Sequence, residues 1–453
     1  MKKIVIMGAG GRDFHDFNVV FRNDPESRVV AFTAAQIPGI GGRVYPPALA
    51  GPLYQEGIPI VDEAELPGLI EREHIDQVIL AYSDLSHEEV MHKASLAMAH
   101  GADFGLIGPE RTMLSSTKPV VAVCAVRTGC GKSQTSRLVG RLLAATGLKV
   151  SLIRHPMPYG NLERMRVQRF ETIADIDASE PTIEEREEYE APVRAGLLMW
   201  AGVDYGEILH HAEQESDIIV WDGGNNDFSF YRPDLLITVL DPLRAGHEMA
   251  YHPGEVNLRM ADVVVVNKVD VANPNDVNRV IEVVRSVNPN ATIIQTASPV
   301  RLDPGPEIAG KHVLVVEDGP TLTHGGMPFG AGTVAARQAG VAGIVDPRPY
   351  AVGSIVDTFA RFPALGPVLP AMGYGEDQLA ELEATIRNVP CDAVLTGTPI
   401  DLGRLIEVGH PIRHAVYESV EIGEPRLAEL LGPVIADAWN ARTALDQVEP
   451  VAR

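Results

Sequence analysis

Short apolar runs alternate with longer amphipathic stretches in the first hundred residues. The apolar runs lie at 3–8, 29–33, 58–61 and 77–82, and the stretches with helical periodicity lie at 14–22, 63–72 and 86–99. Short apolar runs predict buried strands, whereas a period of 3.6 residues predicts helices that pack on them. Alternating strands and helices are typical of a parallel sheet. We therefore predict a Rossmann-like unit that ends before the polar connector at 115–119.

The same alternation resumes after this connector. Predicted strands lie at 120–126, 149–154, 217–221, 235–240, 262–266, 291–296, 311–316, 343–346 and 391–396, and predicted helices at 132–145, 274–287, 333–340, 376–388 and from Asp401. Thr182 and Glu185 have the spacing of a capping box, which predicts the start of an acidic helix to which we assign no role. The predicted domains are 1–116, 117–310 and 311–453. The third region is either a separate domain or continuous with the second sheet.

The composition narrows the function classes. Among 453 residues, 61 are Asp or Glu and 38 are Lys or Arg, which gives a formal charge of −23. This charge argues against a protein that binds nucleic acid or an anionic membrane. The three cysteines suggest neither a zinc site nor a disulfide framework. Because the sequence has neither a membrane-spanning apolar run nor a signal-peptide pattern, we expect a cytoplasmic protein whose anionic ligands bind a local basic site.

The segment from Arg127 to Ser133, RTGCGKS, lies between a predicted buried strand and a predicted helix. It matches a shortened phosphate-binding P-loop, since Val126 stands where the longer form has glycine. Glycines let backbone N–H groups face phosphate oxygens, while Lys132 reaches the outer phosphates and Ser133 supplies a ligand to Mg2+. The predicted nucleotide-binding residues of this loop are Thr128, Gly129, Cys130, Gly131, Lys132, Ser133 and Gln134. The alternative is a glycine-rich turn that binds nothing.

Arg127, the first residue of this loop, has two interpretations. In related loops, a basic residue at this position reaches a nucleotide across a dimer interface. The simpler alternative is a solvated arginine at the start of a loop.

Asp222 ends a predicted buried strand and is followed by Gly-Gly-Asn-Asn-Asp. An acid at such a strand end, beside a P-loop, is typical of the group that holds the Mg2+ shell. We therefore predict Asp222 as a magnesium residue, with Asn225 or Asp227 near the γ-phosphate. The alternative is a hairpin-type turn after a core strand.

The motif Asn267-Lys268-Val269-Asp270 follows the apolar run 262–266. It is the base-reading motif of GTPases, in which the carboxylate accepts hydrogen bonds from two guanine donors that adenine lacks. The sequence TAS at 296–298 stands where GTPases have their last nucleotide loop. Asn267, Lys268 and Asp270 are therefore predicted to bind the nucleotide. The strand end at Asp222 lacks the glycine of the DxxG motif, which argues against switching loops.

Basic residues gather in loops that follow predicted strands. In an acidic chain, this placement suggests an internal site for a small anion, which the arginine fork grips well. The candidate substrate residues are Arg12, His15, Arg154, His155, Arg259 and His324. Taken singly, each arginine has the simpler interpretation of a surface ion pair and each histidine that of a satisfied loop residue. The segment GAGGRD at 8–13 does not complete GxGxxG, so we do not predict NAD.

Several long motifs together resemble one family. They are MGAGGRDFHDFNVVFR (7–22), AVRTGCGKSQTS (125–136), IRHPMPYG (153–160), TIEEREEYE (182–190), WDGGNNDF (221–228), YHPGEVNLRMADVVVVNKVD (251–270), VVEDGPTLTHGGMPFGAG (315–332) and DPRPYAVGSI (346–355). With these motifs the chain resembles, nearly end to end, the cyclic 2,3-diphosphoglycerate synthetase family, which includes bacterial relatives labelled as GTPases.

The resemblance implies an α/β fold in which a Rossmann-like parallel sheet precedes a SIMIBI-like P-loop NTPase domain with a C-terminal α/β extension. It also implies a ligase that joins the two phosphates of 2,3-diphosphoglycerate as an intramolecular phosphoanhydride, at the expense of ATP or GTP. Carried onto this chain, the catalytic residues are Lys132, Arg127, Asp222, Arg154 and His155. Mg2+, a small phosphorylated substrate and a homodimer are implied as well.

Two other functions stay open at this point. A P-loop GTPase acting as a switch or assembly factor would explain NKVD and TAS, although the sequence has no Cys/His metal cluster. An NTP-dependent kinase or ligase for another small anion would use the same site residues.

Overall fold

The computed structural model describes residues 1–34, 42–155, 160–323, 325–371, 376–398 and 400–448. Within these ranges, the larger sheets have six, nine and six strands and follow one another along the chain. We refer to them as the first, second and third units.

The first unit contains a six-stranded sheet covered by helices. Its elements are β1 (Lys2–Met7), α1 (Arg12–Asp16), β2 (Ser27–Ala34), β3 (Val44–Tyr45), α2 (Pro47–Ala50), β4 (Ile58–Asp62), α3 (Leu66–Glu73), β5 (Gln77–Leu80), β6 (Leu85–Ser86), α4 (His87–Ala99) and β7 (Asp103–Leu106). The strand order is β3-β4-β2-β1-β5-β7, and all neighbours are parallel except β3 and β4. α1 continues directly into a π-helical turn, Phe17–Phe21, whose phenylalanines pack in the core of this unit.

The second unit is built on the nine-stranded sheet. Its elements are β8 (Val120–Ala125), α5 (Lys132–Ala144), β9 (Val150–Arg154), β10 (Val167–Phe170), α6 (Ile173–Ala178), α7 (Ile183–Arg194), β11 (Leu198–Gly202), α8 (Tyr205–Glu215), β12 (Ile218–Asp222), β13 (Leu235–Leu240), β14 (Tyr251–His252), α9 (Gly254–Met260), β15 (Val263–Val266), α10 (Pro274–Val287) and β16 (Thr292–Ala297). Eight of the strands lie in the order β10-β11-β9-β12-β8-β13-β15-β16. Every residue of β8, β9, β12 and β15 is buried, as expected for strands covered on both faces. Because these four strands are parallel, the segments that follow them meet at one edge.

The third unit has its own sheet and its own hydrophobic core. Its elements are β17 (Val300–Leu302), β18 (His312–Asp318), α11 (Gly319–Thr323), α12 (Ala331–Gln338), β19 (Gly343–Ile344), α13 (Ser354–Arg361), β20 (Leu369–Ala371), α14 (Glu376–Asn388), β21 (Ala393–Thr396) and β22 (Ile412–Tyr417). The strand order is β17-β22-β21-β18-β19, and β20 also pairs with β18.

The chain then returns to the second unit. Its last elements are β23 (Val420–Ile422), α15 (Leu427–Leu430) and α16 (Gly432–Val448). β23 pairs antiparallel with β16 and becomes the ninth strand of that sheet. Leu427, Leu431 and Val434 pack in the same hydrophobic core as β8 and α5. The third unit is therefore inserted between two parts of the second.

Contacts between strands and rings join the first unit to the second. β6 pairs antiparallel with β14, so that Ser86 lies opposite Tyr251. The ring of His15 stacks on Phe230, with 4.1 Å between ring centroids. Among the described helices, none combines the length and apolar composition needed to cross a membrane.

The α/β fold predicted from the sequence is confirmed. Thr182 and Glu185 form the predicted capping box at the start of α7. The helix predicted from Asp401 is wrong, because only a 3-10 turn at Leu402–Arg404 follows, in a segment with glycines at 403 and 409. Four elements in the long polar stretch after β9 are not predicted from the sequence: β10, α6, β11 and α8.

Candidate functional site

The loop between β8 and α5 has a left-handed backbone at two glycines. φ is 79° at Gly129 and 104° at Gly131, values that residues with a side chain rarely adopt. A Cβ on Gly131 would lie 2.0 Å from Nδ2 of Asn267, so the position has no room for a side chain. α5 begins directly afterwards, at Lys132. The backbone N–H groups at a helix start and its preceding glycine loop form an anion site, as P-loops require.

A chain of alternating charges lies beside this loop. Nζ of Lys132 donates to Oδ1 of Asp222 over 2.5 Å, and the Ser136 hydroxyl donates to the same oxygen over 2.8 Å. The other oxygen of Asp222 lies 2.8 Å from Nη1 of Arg154. Nη2 of Arg154 donates to Glu188 on α7 over 2.6 Å. Two cations that suit phosphate thus lie at the strand ends, each paired with a carboxylate.

These cations set the protonation of Asp222. Burial alone would raise the pKa of this carboxyl, but the charges of Arg154 and Lys132 and two hydrogen bonds lower it to about 2. Burial, together with the charge of Arg154, lowers the pKa of Lys132. Asp222 is therefore ionised at neutral pH, as a magnesium ligand must be.

The Asn267–Asp270 motif packs against the P-loop as well. Nδ2 of Asn267 donates to the carbonyl of Cys130 over 2.9 Å, and its Oδ1 accepts from the Thr296 hydroxyl over 2.8 Å. Nζ of Lys268 donates to the carbonyl of Gly129 over 2.7 Å. The first two residues of the motif therefore hold the P-loop backbone in place.

The remaining residue of this motif lies farther out. Oδ1 of Asp270 accepts from the backbone N–H of Ser298 over 3.1 Å, and the Ser298 hydroxyl donates to Gln134 over 3.0 Å. The second oxygen of an exposed carboxylate held in this way is free to accept from a nucleotide base. NKVD, TAS and the helix after the P-loop therefore meet, as the sequence order predicts for a G-domain.

A cavity of about 240 Å³ opens between the P-loop and the third unit. Lys132, Arg154 and Asp222 line one side, and Glu317 and Phe329 line the other. The third unit therefore closes one side of the nucleotide site.

Glu317 holds the wall that the third unit contributes. Its carboxylate is buried and accepts backbone hydrogen bonds from Gly330, Gly332 and Thr333 at the start of α12. The N–H groups of Gly330, Gly332 and Thr333 thus bind a carboxylate of their own unit, so they are not free to bind phosphate.

Arg127 finds its partners within its own chain. Its Nε donates to Asp84 of the first unit over 2.6 Å, and its guanidinium lies 3.6 Å from the centroid of the Tyr251 ring. Nη1 donates to Nδ1 of His247 over 2.8 Å, and the second oxygen of Asp84 accepts from the backbone N–H of Thr128. The side chain is buried, so the interpretation of Arg127 as a solvated arginine is wrong. The ion pair instead attaches the first unit to the P-loop.

His155 lies between two glycines of different units. A Cβ on Gly11 would lie 1.8 Å from its Nε2, and a Cβ on Gly224 would lie 2.4 Å from its Nδ1. Both ring nitrogens are buried and lack a hydrogen-bond partner among the described residues. Burial lowers the pKa of His155 to about 3, so the ring is neutral at pH 7.

His15 is neutral as well. Burial lowers the pKa of this ring to about 4, and its Nε2 lies 2.8 Å from the carbonyl oxygen of Thr112. The sequence predicts His15 and His155 as part of a basic site for an anionic substrate. Neither is a cation here, because both rings are desolvated at the junction of the first two units.

A second polar cluster surrounds Arg12, one of the predicted substrate residues. Its Nε lies 3.7 Å from Asp16, and its Nη1 lies 3.7 Å from Asp227. Nη2 donates to the carbonyl of Ile107, and the guanidinium stacks 4.3 Å from the Phe228 ring centroid. We call Arg12, Asp13, Asp16 and Asp227 the Arg12 cluster.

The Arg12 cluster is fully buried and rich in carboxylates. Asp13 accepts backbone hydrogen bonds from Gly10 and Gly11, whereas neither oxygen of Asp16 has a hydrogen-bond partner among the described residues. Burial raises the pKa of Asp13 to about 6 and the pKa values of Asp16 and Asp227 to about 7. Burial therefore disfavours the charged form of all three carboxyls.

One predicted substrate residue, Arg259, is not brought to this region. The guanidinium of Arg259 is half exposed and pairs with Glu255 one turn away on α9, over 2.6 Å. A helical surface pair explains Arg259, so the structure does not support its assignment to the substrate. His324 lies outside the described residues.

Sequence reasoning missed four residues that contact the predicted site. Ser136 follows Lys132 by one helical turn, a spacing that gives a signal in retrospect. Asp16 likewise lies one helical turn from its partner Arg12 on α1, whereas only the tertiary fold brings Asp84 to Arg127 and Glu188 to Arg154.

The oxygen donors of the P-loop side fit Mg2+. Ser133 and Asp222 both line the cavity, and they supply a hydroxyl and an ionised carboxylate. Mg2+ commonly takes only one or two protein ligands and completes its octahedron with phosphate and water. Among the described residues there is no cluster of three or more His, Cys, Asp or Glu that would hold a metal without a nucleotide.

Similarity to known proteins supports a nucleotide site. Residues 216–295, which include Asp222 and the Asn267–Asp270 motif, match the family described as CobW/HypB/UreG, nucleotide-binding domain. The solved structure of LpxK from Aquifex aeolicus in complex with ATP aligns with 77% of this chain and 95% of that chain, at 12% identity and a TM-score of 0.43. The family match and the P-loop geometry together identify the second unit as a P-loop nucleotide-binding domain.

Two kinds of relative match over longer stretches. The chain is 59% identical over 430 residues to the arginine synthetase ArcE of Thermococcus kodakarensis, covering 95% of this chain and 96% of that protein. It is 26% identical over 280 residues to the cyclic 2,3-diphosphoglycerate synthetase of Thermococcus gammatolerans, covering 56% of this chain and 61% of that protein. The resemblance to the cyclic 2,3-diphosphoglycerate synthetases that the motifs predict is therefore a distant one. Both kinds of relative are synthetases.

Proposed function

The chain belongs to the family of the arginine synthetase ArcE, and from this premise we propose that it forms arginine with energy from a nucleoside triphosphate. One observation carries the proposal: a relative named arginine synthetase is 59% identical over nearly the full length of this chain, in which Lys132 and Arg154 both contact Asp222 beside the P-loop. A ligase needs such a site because the free energy of condensation has to come from phosphoryl transfer.

The chemistry of the product suggests the acceptor. Arginine differs from its ureido analogue, citrulline, by one nitrogen in place of one oxygen. The ureido oxygen attacks the γ-phosphorus and forms a phosphoisourea, while the bond to the leaving nucleoside diphosphate breaks. Ammonia then adds to the central carbon, and the C–O bond breaks with loss of phosphate. Citrulline, ammonia and NTP thus give arginine, NDP and phosphate.

Residues at the strand ends suit the first step. Lys132 and Arg154 lie on either side of Asp222 and neutralise the charge that moves onto the transferring phosphoryl group. Ser133 and Asp222 would hold Mg2+, which supplies further charge neutralisation when bound. Glu188 pairs with Arg154, and its buried Oε2 has no hydrogen-bond partner among the residues that the structure describes, which suits acceptance of a proton from the incoming nitrogen.

The Arg12 cluster argues against 2,3-diphosphoglycerate as the acceptor. A bisphosphate needs several cations, but the nearby His15 and His155 are neutral. Asp16 and Asp227 would repel a second phosphate at this junction. A ureido amino acid brings one carboxylate and one ammonium group. It therefore needs fewer cations than a bisphosphate, which fits the one arginine and three carboxyls of the Arg12 cluster better.

The nucleotide is ATP or GTP. The position of Asp270 beside Ser298 supports GTP, because guanine offers donors to a carboxylate. The resemblance to the cyclic 2,3-diphosphoglycerate synthetases supports ATP. Both nucleotides therefore belong in the assay.

The test is product formation by the purified full-length protein. We expect arginine, detected by mass spectrometry, when citrulline, ammonium, Mg2+ and ATP or GTP are all present, and none when any one is omitted. A parallel sample with 2,3-diphosphoglycerate, followed by phosphorus NMR, tests ring closure. Cyclic product without arginine would overturn the proposal, and so would nucleotide hydrolysis that responds to neither acceptor.

A further inference from the structure

The Arg12 cluster has an arrangement that protein packing alone leaves incomplete. Arg12, Asp16 and Asp227 are each at least 95% buried. Charged hydrogen bonds usually span 2.7–2.9 Å, yet both ion pairs of Arg12 with these carboxylates measure 3.7 Å. The charges are close enough to attract one another, but the pairs are too long to be direct hydrogen bonds.

Several polar atoms of this cluster have no hydrogen-bond partner within the described part of the chain. They are Nη1 of Arg12, both carboxylate oxygens of Asp16 and Oδ1 of Asp227. Buried charged groups are almost always hydrogen-bonded, because an unpaired one has lost its hydration without compensation. Donors and acceptors of both signs are therefore available at one place, which is more than an acidic cluster offers.

The location is that of a ligand site. The cluster lies at the junction of the first and second units, and junctions between units are frequent ligand sites. A short loop also connects it to the nucleotide site, because Asp227 follows Asp222 on that loop and Asn226 between them donates to the carbonyl of Val126, next to the P-loop.

We propose that the Arg12 cluster binds the α-amino-acid end of the substrate, with Arg12 on the α-carboxylate and Asp16 and Asp227 on the α-ammonium group. This inference rests on the proposed function, since it assigns the part of citrulline and arginine that does not react. Asp13 holds the loop that carries Arg12, because it accepts from the backbone N–H groups of Gly10 and Gly11.

Charge supports this choice of ligand. Asp13, Asp16 and Asp227 outnumber the Arg12 guanidinium, so a ligand with an ammonium group relieves their mutual repulsion. Burial raises the pKa values of these three carboxyls, and a bound cation would bring the values down again. A free anion lacks this advantage.

The first experiment uses the wild-type protein and three probes. Isothermal titration calorimetry, with ADP or GDP at saturation, compares L-arginine with agmatine, which lacks the α-carboxylate, and with Nα-acetyl-L-arginine, which lacks the α-ammonium charge. We expect each analogue to bind at least about tenfold more weakly, since each leaves a buried charge unpaired. Equal affinity for all three would overturn the inference without any variant having to fold.

The second experiment uses the isosteric variant Asp16→Asn. We expect its KM for citrulline to rise at least about tenfold, with kcat and the nucleotide Kd changed less than about threefold. The matched control is Arg22→Gln, because Arg22 joins the first unit to Asp204 of the second over 3.4 Å but lies outside the cluster. An equal rise of KM in the control would show loosened units and would overturn the inference.

The two proposals fail in different ways. If wild type forms arginine but Asp16→Asn keeps its KM for citrulline, the site assignment is wrong and the function stands. If wild type forms no arginine but binds L-arginine and loses that binding in Asp16→Asn, the site stands and the proposed reaction is wrong. If wild type binds no α-amino acid at all, the inference is overturned.

Discussion

The imidazole of His155 occupies the space that a side chain on Gly11 would need. Gly11 has a φ of 152° and belongs to the first unit, whereas His155 follows β9 of the second. This contact shows that the two units pack too closely for even one added carbon atom, next to both the nucleotide site and the Arg12 cluster.

Gly11→Ala should therefore separate the units locally. A Cβ at 1.8 Å from Nε2 of His155 cannot be accommodated, and the left-handed φ adds backbone strain, together about 1–3 kcal/mol of lost stability. We expect a lower Tm and loss of arginine formation. In Gly11→Ala/His155→Ala the collision is gone and only the backbone strain remains, so the Tm should recover in part. A double variant no more stable than the single one would contradict this account.

Lys132→Ala should abolish turnover without unfolding the protein. Asp222 keeps its contacts with Arg154 and Ser136, so no buried charge is left without a partner. Without the ammonium group of Lys132, the charge on the transferring phosphoryl group is less well neutralised, so kcat should fall by about 100-fold or more. Arginine formation and thermal unfolding measure the two effects, and the surface variant Lys118→Ala is the control. Turnover near the wild-type rate would remove Lys132 from the mechanism.

Asn267→Ala should weaken ATP and GTP binding equally. Its amide contacts the Cys130 carbonyl and the Thr296 hydroxyl, so the variant leaves buried groups of the P-loop support unpaired, at about 1–3 kcal/mol. Titration with fluorescent ATP and GTP analogues measures both affinities. Asp270→Ala is the matched variant, because Asp270 contacts Ser298 and not the P-loop. Its effect should be confined to GTP, and an equal loss for ATP would show that Asp270 does not read the base.

The Arg12 cluster should make stability depend on pH in a defined direction. Burial raises the pKa of Asp16 from 3.8 to about 7 in the folded protein. The folded state then binds more protons than the unfolded state, so this contribution is fully present below pH 3.8 and is lost as the pH rises to about 7. Asn imitates the protonated form. The Tm of Asp16→Asn relative to wild type should therefore increase between pH 5 and pH 8, and a constant difference would contradict the raised pKa.

Arg127→Ala should loosen the first unit without changing the mass of the assembly. Breaking the buried pair with Asp84 leaves that carboxylate uncompensated, at about 3–5 kcal/mol. Hydrogen exchange should increase where β6 meets β14. The predicted homodimer stays a prediction, but because the partner of Arg127 is in its own chain, light scattering should give the same mass for wild type and variant. A smaller mass for Arg127→Ala would place the residue at an interface.

Local pattern was enough to predict the sheets and the central part of the nucleotide site. RTGCGKS, Asp222 and NKVD each follow a buried strand, and parallel strands bring their ends together whatever the rest of the chain does. Glu188 could not be found in this way, because α7 meets Arg154 only through tertiary packing, whereas Asp16 lies one helical turn from Arg12 on α1 and its spacing is a local signal. The failed helix at Asp401 has a local cause, since nearby glycines favour a turn.

The return of the chain to the second unit has a consequence for biosynthesis. β23 and α16 emerge from the ribosome after the whole third unit, yet they complete the sheet and core that carry the P-loop. The third unit, with its own core, is free to fold while the nucleotide-binding unit still waits with β16 as an open edge. The nascent protein therefore cannot gain a finished nucleotide-binding unit until the whole third unit has been synthesised.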